Sequence, residues 1–479
     1  MSFVDIRFLI FFPTVLVLHI LTPPRFRWIL LLIASYLFYM AWKPSYGLLL
    51  LGITVIDYVA GLLIARSTKS TQRKIFLIIS LAANLGILFF FKYFNFFFDT
   101  LGQATHALGL AASFPLLSIL VPIGISFHVF QSMSYTIDVY TGKAQPVRHF
   151  GKFALYVSFF PQLVAGPIER PSGLLQQFFE DRPFSLEKAQ RGALLMLWGF
   201  YKKVGIADNL APVVNAIYAN PTLYPGPSLI IGAVLFSYQL YCDFSGYTDI
   251  ARGAALMLGY DLVENFNRPY IAISIADFWR RWHISLSSWL RDYMYLPLAF
   301  GGKRLSKMRI YVSMFVTFTL IGLWHGANWT FVVMGALFGT YMIVGSLTEQ
   351  WRKRVLNTPA WFKRLITFSL VTFAWIFFRA QTLTSALYIA SHLTSGIPTF
   401  ISNFGWHVLA ADAPIFTTAV GVLGIGIVAS GEALHERGVF TRFKTLPSSI
   451  QISLYGAALF ALLIVGAFTS SQSFIYFRF

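Results

Sequence analysis

Apolar runs near membrane-spanning length recur from one end of this chain to the other, separated by short polar turns. A helix needs about 20 apolar residues to cross a hydrocarbon core of about 30 Å. Runs of this kind fall at 8–22, 27–42, 46–65, 75–98, 115–140, 192–206, 228–242, 310–326, 328–347, 365–379, 414–432 and 449–468. They predict roughly ten to twelve membrane segments. Several runs are too short to span and predict re-entrant helices or helices buried in protein. The expected fold class is an all-α polytopic membrane protein. No internal repeat breaks the pattern, and no hydrophilic stretch is long enough for a soluble domain. The chain therefore reads as a single integral-membrane domain over 1–479. Asp5 and Arg7 open the first run, and no small-residue cleavage site follows before Pro23 and Pro24, so this run reads as a membrane helix and not as a cleavable signal.

Composition agrees. Hydrophobic residues make up 57% of the chain and charged residues 12%, against about 25% in a soluble domain. That excludes a soluble enzyme and a disordered chain. The charge is lopsided, 37 Lys and Arg against 19 Asp and Glu. Basic residues of membrane proteins gather in cytoplasmic loops. Arg25 and Arg27, Arg66 to Lys74, Lys143 to Lys152, Lys303 to Arg309, Arg352 to Arg364, and Arg437 to Lys444 all fall on one side, provided 381–407 does not cross. Both termini are then expected outside. The excess is a topology signal, and a nucleic-acid partner is not expected without a soluble basic domain. The single cysteine, Cys242, excludes an intrachain disulfide and a Cys-based metal site.

Residues 262–300 break the apolar pattern. Asp277, Arg280, Arg281, His283, Arg291 and Asp292 are interleaved with Phe278, Trp279, Trp282, Leu286, Trp289 and Tyr293. This stretch is too polar to span lipid. It predicts one or two amphipathic helices in the cytoplasmic interface or packed into the protein, with Trp279, His283 and Leu286 or Ser287 on one face. The 183–203 stretch is similar.

Ionisable residues in membrane segments are costly and are candidates for function. His325 stands in Gly322-Leu323-Trp324-His325-Gly326-Ala327-Asn328, some 24 Å along a helix entered near Arg309. Gly322, Gly326 and Ala327 leave room for a neighbouring backbone or a substrate. Two readings stand on these residues alone: a general base, or a structural histidine hydrogen-bonded to Asn328. His283 likewise reads either as a catalytic group or as part of an interfacial belt with Trp282, Ser285 and Trp289. Asp243, in a polar cluster with Ser245, Thr248 and Asp249, reads as the cap of a following helix at a break, or as a group orienting a histidine. No HExxH, nucleophile elbow or phosphate loop is present, and no metal site is expected.

At these motifs the sequence resembles the membrane-bound O-acyltransferase family, above all its bacterial alginate O-acetyltransferase-like branch. The resemblance runs through Phe91–Phe97, Val121–Phe127, Ser134–Tyr140, Phe159–Ile168 and Tyr241–Asp249, and is most specific over Arg280–Leu298 and Gly322–Phe331. It implies a ring of helices around a thin centre pierced by a tunnel, with the acyl donor entering from the cytoplasm. The family's histidine in an apolar helix matches His325, and its upstream histidine or asparagine matches His283. Leu298–Gly302 is longer than the usual turn, and Met334 and Phe338 stand where many relatives carry tryptophan and histidine, which leaves the polymer open. Tyr295–Leu298 favours the acetyl branch over the teichoic-acid D-alanine branch.

The expected function is transfer of acetyl groups from a cytoplasmic thioester, acetyl-CoA, to an exported polysaccharide or cell-wall glycan, directly or through a periplasmic SGNH-hydrolase-like partner. Acetyl-CoA is then a co-substrate, with no bound cofactor. His325 and His283 carry the chemistry, with Trp324, Asn328, Trp282, Ser285, Trp289 and Asp243 supporting. Arg280, Arg281, Lys303 and Arg304 are candidates to meet the donor's phosphates. The expected location is the bacterial inner membrane. The competing expectation is a non-enzymatic transporter or a scaffold subunit of an export complex.

Overall fold

A computed structural model describes all residues except 111–113, 119, 165, 303–305, 356–357, 403–404, 406–412, 437–447, 469–473 and 476–479. Helices dominate, and no strand occurs among the described residues. Seven helices there are long and apolar enough to cross a membrane: Ser45–Arg66, Ser70–Ala107, Gly226–Met257, Lys307–His325, Trp329–Arg352, Ala360–Arg379 and Ile415–His435. The chain is a polytopic membrane protein. Several of the other expected runs take different forms among the described residues. The first run forms α1 (Ile6–Leu21) and the second α2 (Pro24–Met40), of 16 and 17 residues. The run expected at 115–140 becomes a helix only from Ile125 and buries Gln131, Ser132 and Asp138 in protein. The run at 192–206 ends in a π-turn with buried lysines.

The chain divides into two compact units, 1–193 with 251–263, and 194–250 with 264–479. In the first unit, Asp5 caps α1 by accepting from Arg7 N–H, and Pro24 opens α2 at a position where its missing N–H costs nothing. There follow α3 (Ser45–Arg66), α4 (Ser70–Leu88), α5 (Phe94–Ala107), α6 (Ile125–Thr141), α7 (Phe150–Ser158) and α8 (Phe160–Leu163). Gly124 and Gly142 bracket α6 with φ of +75° and +78°, which glycine adopts without the Cβ penalty. Asp57 of α3 is fully buried and accepts from Ser80 Oγ and Asn84 Nδ2 of α4 and from Thr136 Oγ1 of α6. These neutral donors join three helices in a setting where apolar burial alone gives no preference.

The second unit holds most of α9 (Leu186–Phe200), then α10 (Asp208–Ala219), most of α11 (Gly226–Met257), α12 (Ile275–Arg281), α13 (Ile284–Leu290), α14 (Leu296–Phe300), α15 (Lys307–His325), α16 (Trp329–Val355), α17 (Ala360–Arg379), α18 (Leu383–Ser391), α19 (Ile397–Ser402), α20 (Ile415–Glu436) and α21 (Ser448–Val465). Helices α15 and α16 meet through glycine. A Cβ on Gly322 would stand 2.1 Å from Phe331 O, and one on Gly335 2.4 Å from Phe318 O. The room expected around His325 is thus filled by a neighbouring backbone. Ser237 of α11 bonds Thr372 of α17 at 3.1 Å. Tyr241 of α11 bonds Glu432 of α20.

The helix break expected after 242 does not occur. Residues Asp243 to Asp249 lie inside α11, one helix of 32 residues, because their polar groups find partners on adjacent elements. The polar stretch expected to form one or two amphipathic helices forms two, α12 and α13, and the break between them falls at Trp282 and His283.

Candidate active site

Histidine 283 sits at that break. Ser274 caps α12 by accepting from Asp277 N–H at 3.1 Å, and the Asp277 carboxylate reaches back to Ile273 N–H. Such a reciprocal cap fixes where the helix starts. The helix ends at Arg281, and His283 adopts φ +43°, ψ +54°. A non-glycine residue in the left-handed region is strained, and strain of this kind gathers at functional sites. The Trp279–His283–Leu286 face expected from helical spacing therefore does not form.

The loop before α12 holds the turn in place. Ile284 N–H donates to Asn265 O and Asn267 N–H to Arg281 O, each at 2.9 Å. The Asn265 side chain, fully buried, receives Ser285 N–H at 3.2 Å, Ser285 Oγ at 2.9 Å and His283 Nδ1 at 3.1 Å, all on Oδ1. Burial pushes the His283 imidazole down to about 3, so it is neutral at physiological pH.

His283 has no solvent-exposed surface and His325 almost none. Trp324 links them. Its ring centroid lies 5.7 Å from that of His283 and 5.1 Å from that of His325. Phe244 meets His283 edge-on at 4.7 Å, and Phe378 meets His325 at 5.4 Å. Two titratable rings are thereby enclosed in one aromatic cluster of α11, α13, α15 and α17. His325 is the last residue of α15. Gly326, pressed against the Phe331 ring, takes the chain out of the helix in an extended conformation.

The remaining expected residues are distributed around this core. Trp282 is fully buried against Phe266 (5.1 Å), Phe278 (5.4 Å) and Trp375 (5.1 Å). Ser285 is bound to Asn265, as above. Trp289 packs on Tyr293 at 5.0 Å. Asn328 accepts from Thr330 N–H at the start of α16 and donates to Gln381 O at 3.2 Å. Asp243 pairs with Lys203 at 2.6 Å and accepts Ile475 N–H at 2.7 Å. It caps no helix. Arg280 projects outward, and with Arg281 it shares Asp277 at 3.4 and 3.1 Å. Lys303 and Arg304, and the topology markers Arg437, Arg442 and Lys444, lie outside the described residues. No group of three His, Cys, Asp or Glu able to hold a metal occurs among the described residues.

Sequence reasoning missed several members of this site. Asn265 lies in the 262–300 stretch that breaks the apolar pattern, but nothing in the chain ties it to a histidine 18 residues later. Phe244 and Phe378 are two apolar residues among many. Lys202 and Lys203 were read as part of an amphipathic stretch, yet both are buried. Lys202 pairs with Asp249 at 2.7 Å, and Lys203 with Asp208 at 2.8 Å as well as Asp243. Burial alone would lower the Lys203 ammonium, but the two carboxylates outweigh it and hold its pKa above the ordinary lysine value. Two lysines in an otherwise apolar run were the available signal.

Comparisons with known proteins fit this geometry. The family model for the membrane-bound O-acyltransferase family, MBOAT, matches residues 138–389, which include both histidines. The "probable alginate O-acetylase AlgI" of Pseudomonas aeruginosa is 44% identical over 383 residues, covering 79% of this chain and 71% of that protein. The "peptidoglycan O-acetyltransferase" of Helicobacter pylori is 32% identical over 500 residues, covering 95% and 92%. The "teichoic acid D-alanyltransferase" of Bacillus subtilis is 31% identical over 283 residues, covering 54% and 69%. The matched span, the extent of these identities and the paired buried histidines lead to one conclusion: this chain is an acyltransferase belonging to the membrane-bound O-acyltransferase family, in its alginate O-acetylase-like branch.

Proposed function

We propose that this protein moves acetyl groups from acetyl-CoA, taken on the cytoplasmic side, to an exported polysaccharide or cell-wall glycan, either directly or through a serine of an extracytoplasmic SGNH-hydrolase-like partner. The observation that carries the reading is the buried Trp324 ring in contact with two imidazoles, His283 at 5.7 Å and His325 at 5.1 Å. The names of the alginate and peptidoglycan relatives support the acetyl group and the glycan acceptor. The one-sided distribution of basic residues supports a cytoplasmic donor, both termini outside, and the bacterial inner membrane as the location.

In this mechanism His325 is the general base. Its lone pair takes the proton of the acceptor hydroxyl as that oxygen bonds to the thioester carbonyl carbon. The tetrahedral intermediate collapses with cleavage of the C–S bond, and the proton held by His325 passes to the leaving thiolate. His283 orients the acyl donor by accepting a hydrogen bond. Arg280 and Arg281, with Lys303 and Arg304, meet the donor's phosphates at the cytoplasmic mouth of a tunnel through the protein. A dry aromatic surround strengthens each polar contact with the reacting atoms and excludes competing hydrolysis.

The test is turnover by the purified protein in nanodiscs with acetyl-labelled CoA. His325→Ala should abolish label transfer and thioester cleavage while leaving the protein folded and inserted. Turnover retained by that variant would sink the proposal. Binding of acetyl-CoA without turnover, with and without an added partner, would favour the transporter or scaffold reading.

A further inference from the structure

We infer that Asn265 is the positioning residue that sets the protonation of His283, holding its imidazole in the Nδ1–H form and leaving the lone pair on Nε2. The inference rests on the acetyltransferase reading above and adds to it a residue that neither the motif nor the aromatic cluster identifies.

The amide orientation follows from its neighbours. Ser285 N–H points at the Asn265 side chain at 3.2 Å, and a backbone N–H can only donate. The end of the amide facing it is therefore the oxygen. His283 Nδ1 lies 3.1 Å from that same oxygen, so Nδ1 must carry the hydrogen. Ser285 Oγ makes a third contact at 2.9 Å. This orientation leaves Asn265 Nδ2 buried with no acceptor among the described residues. Buried donors in that state are rare and need a reason. Rotating the amide to find one would set Nδ2 against Ser285 N–H, donor against donor. The fold thus gives up one hydrogen bond of Asn265 to keep the oxygen on the His283 turn. The two backbone bonds between 265–267 and 281–284 prevent the loop from moving away.

The tautomer decides what His283 can do. A neutral ring protonated at Nδ1 accepts at Nε2 and has no N–H there to stabilise an oxyanion. It can hold an N–H or O–H of the bound substrate, which suits the role of orienting the donor. Asp243, next to Phe244 on α11, is paired with Lys203, and the other titratable ring against Trp324 is His325.

The test is a nitrogen-15 spectrum of histidine-labelled protein in nanodiscs, with the His283 signals assigned by their loss in His283→Gln. The wild type should show a protonated Nδ1 and an unprotonated Nε2. Asn265→Ala should give mixed tautomers and lower kcat for acetyl transfer about 10- to 100-fold, with a smaller change in KM. Asn265→Asp keeps the acceptor and adds a charge that stabilises the imidazolium. It should retain the tautomer and move the acid limb of the rate profile to higher pH, a change that a purely structural residue would not produce. If Asn265→Ala does not fold, the wild-type spectrum and Asn265→Asp decide the matter. A wild-type Nε2–H tautomer, or an unchanged acid limb in Asn265→Asp, overturns the inference. So does wild-type kcat in Asn265→Ala. Turnover retained in His325→Ala would instead overturn the general-base mechanism and leave the spectral result standing, since the spectrum is read without turnover.

Discussion

Lys203 and Asp243 form an ion pair at 2.6 Å with almost no solvent-exposed surface on either side chain. Asp208 joins them at 2.8 Å, so one ammonium serves two buried carboxylates. Breaking a buried pair from one side costs about 3–5 kcal/mol, because the abandoned charge has no water to turn to. Lys203→Met should therefore lower the thermal midpoint of the purified protein sharply. Asp243→Asn keeps an acceptor for Ile475 N–H and leaves the lysine one carboxylate, and should cost about 1 kcal/mol or less. Equal losses in the two variants would argue against this account.

Gly322 is the contact at which α15 approaches α16, three residues before His325. An added Cβ would meet a backbone carbonyl, which cannot step aside. Gly322→Ala should destabilise by about 1–3 kcal/mol through overpacking and lower acetyl transfer as the end of α15 shifts. Gly426→Ala is the control. Nothing lies within 4 Å of a Cβ built there, so a helix-favouring methyl should leave the melting temperature unchanged or raise it slightly.

Trp324 touches both imidazoles, and its ring is needed more than its N–H. Trp324→Phe should keep much of the acetyl-transfer rate. Trp324→Ala should lose at least about tenfold, since displacements of about 1 Å in a catalytic constellation have effects of that size or larger. A comparison of kcat in the two variants checks this, and wild-type kcat in Trp324→Ala would remove Trp324 from the site.

Glu169, in the first unit, is buried and accepts Val263 N–H at 2.7 Å. Burial raises its carboxyl from an ordinary 4.5 to about 7, against the opposing pull of that hydrogen bond and of Arg252. An acid whose folded pKa is raised binds more protons folded than unfolded. Stability is then greatest below about 4.5, falls as pH rises to about 7, and levels off above, a change on the order of 3 kcal/mol. Glu169→Gln keeps the acceptor without the titration and should flatten the melting temperature between those pH values. A parallel pH dependence in the two proteins would contradict the assignment.

The aromatic cluster shows how far the chain could be read directly. His325 stands out because an ionisable residue in an apolar run is rare, and His283 because a polar, tryptophan-rich stretch interrupts the membrane pattern. Both signals are local. The partners that give these rings their properties come from Asn265, Phe244 and Phe378, on other elements. The break at Trp282–His283 was missed because spacing assumes that a helix continues, and the cost of a left-handed histidine is met by bonds to a separate loop. The break expected at Asp243 was a mistake of the opposite kind. A polar cluster reads as a helix end when its lysine partners are not known to be packed beside it.

The sequence by itself determined the solvent this chain folds in and the helical class that follows from it, and it singled out two histidines as candidates. Hydropathy and the cost of burying an ionisable ring are properties of single residues and their near neighbours, and they need no third dimension. The tertiary structure alone decided which side chain faces His283 Nδ1, which ring touches both imidazoles, and which lysine neutralises Asp243. Those outcomes depend on hydrogen-bond geometry and charge pairing between segments far apart in the chain, where a change of a few ångströms determines which partner is met.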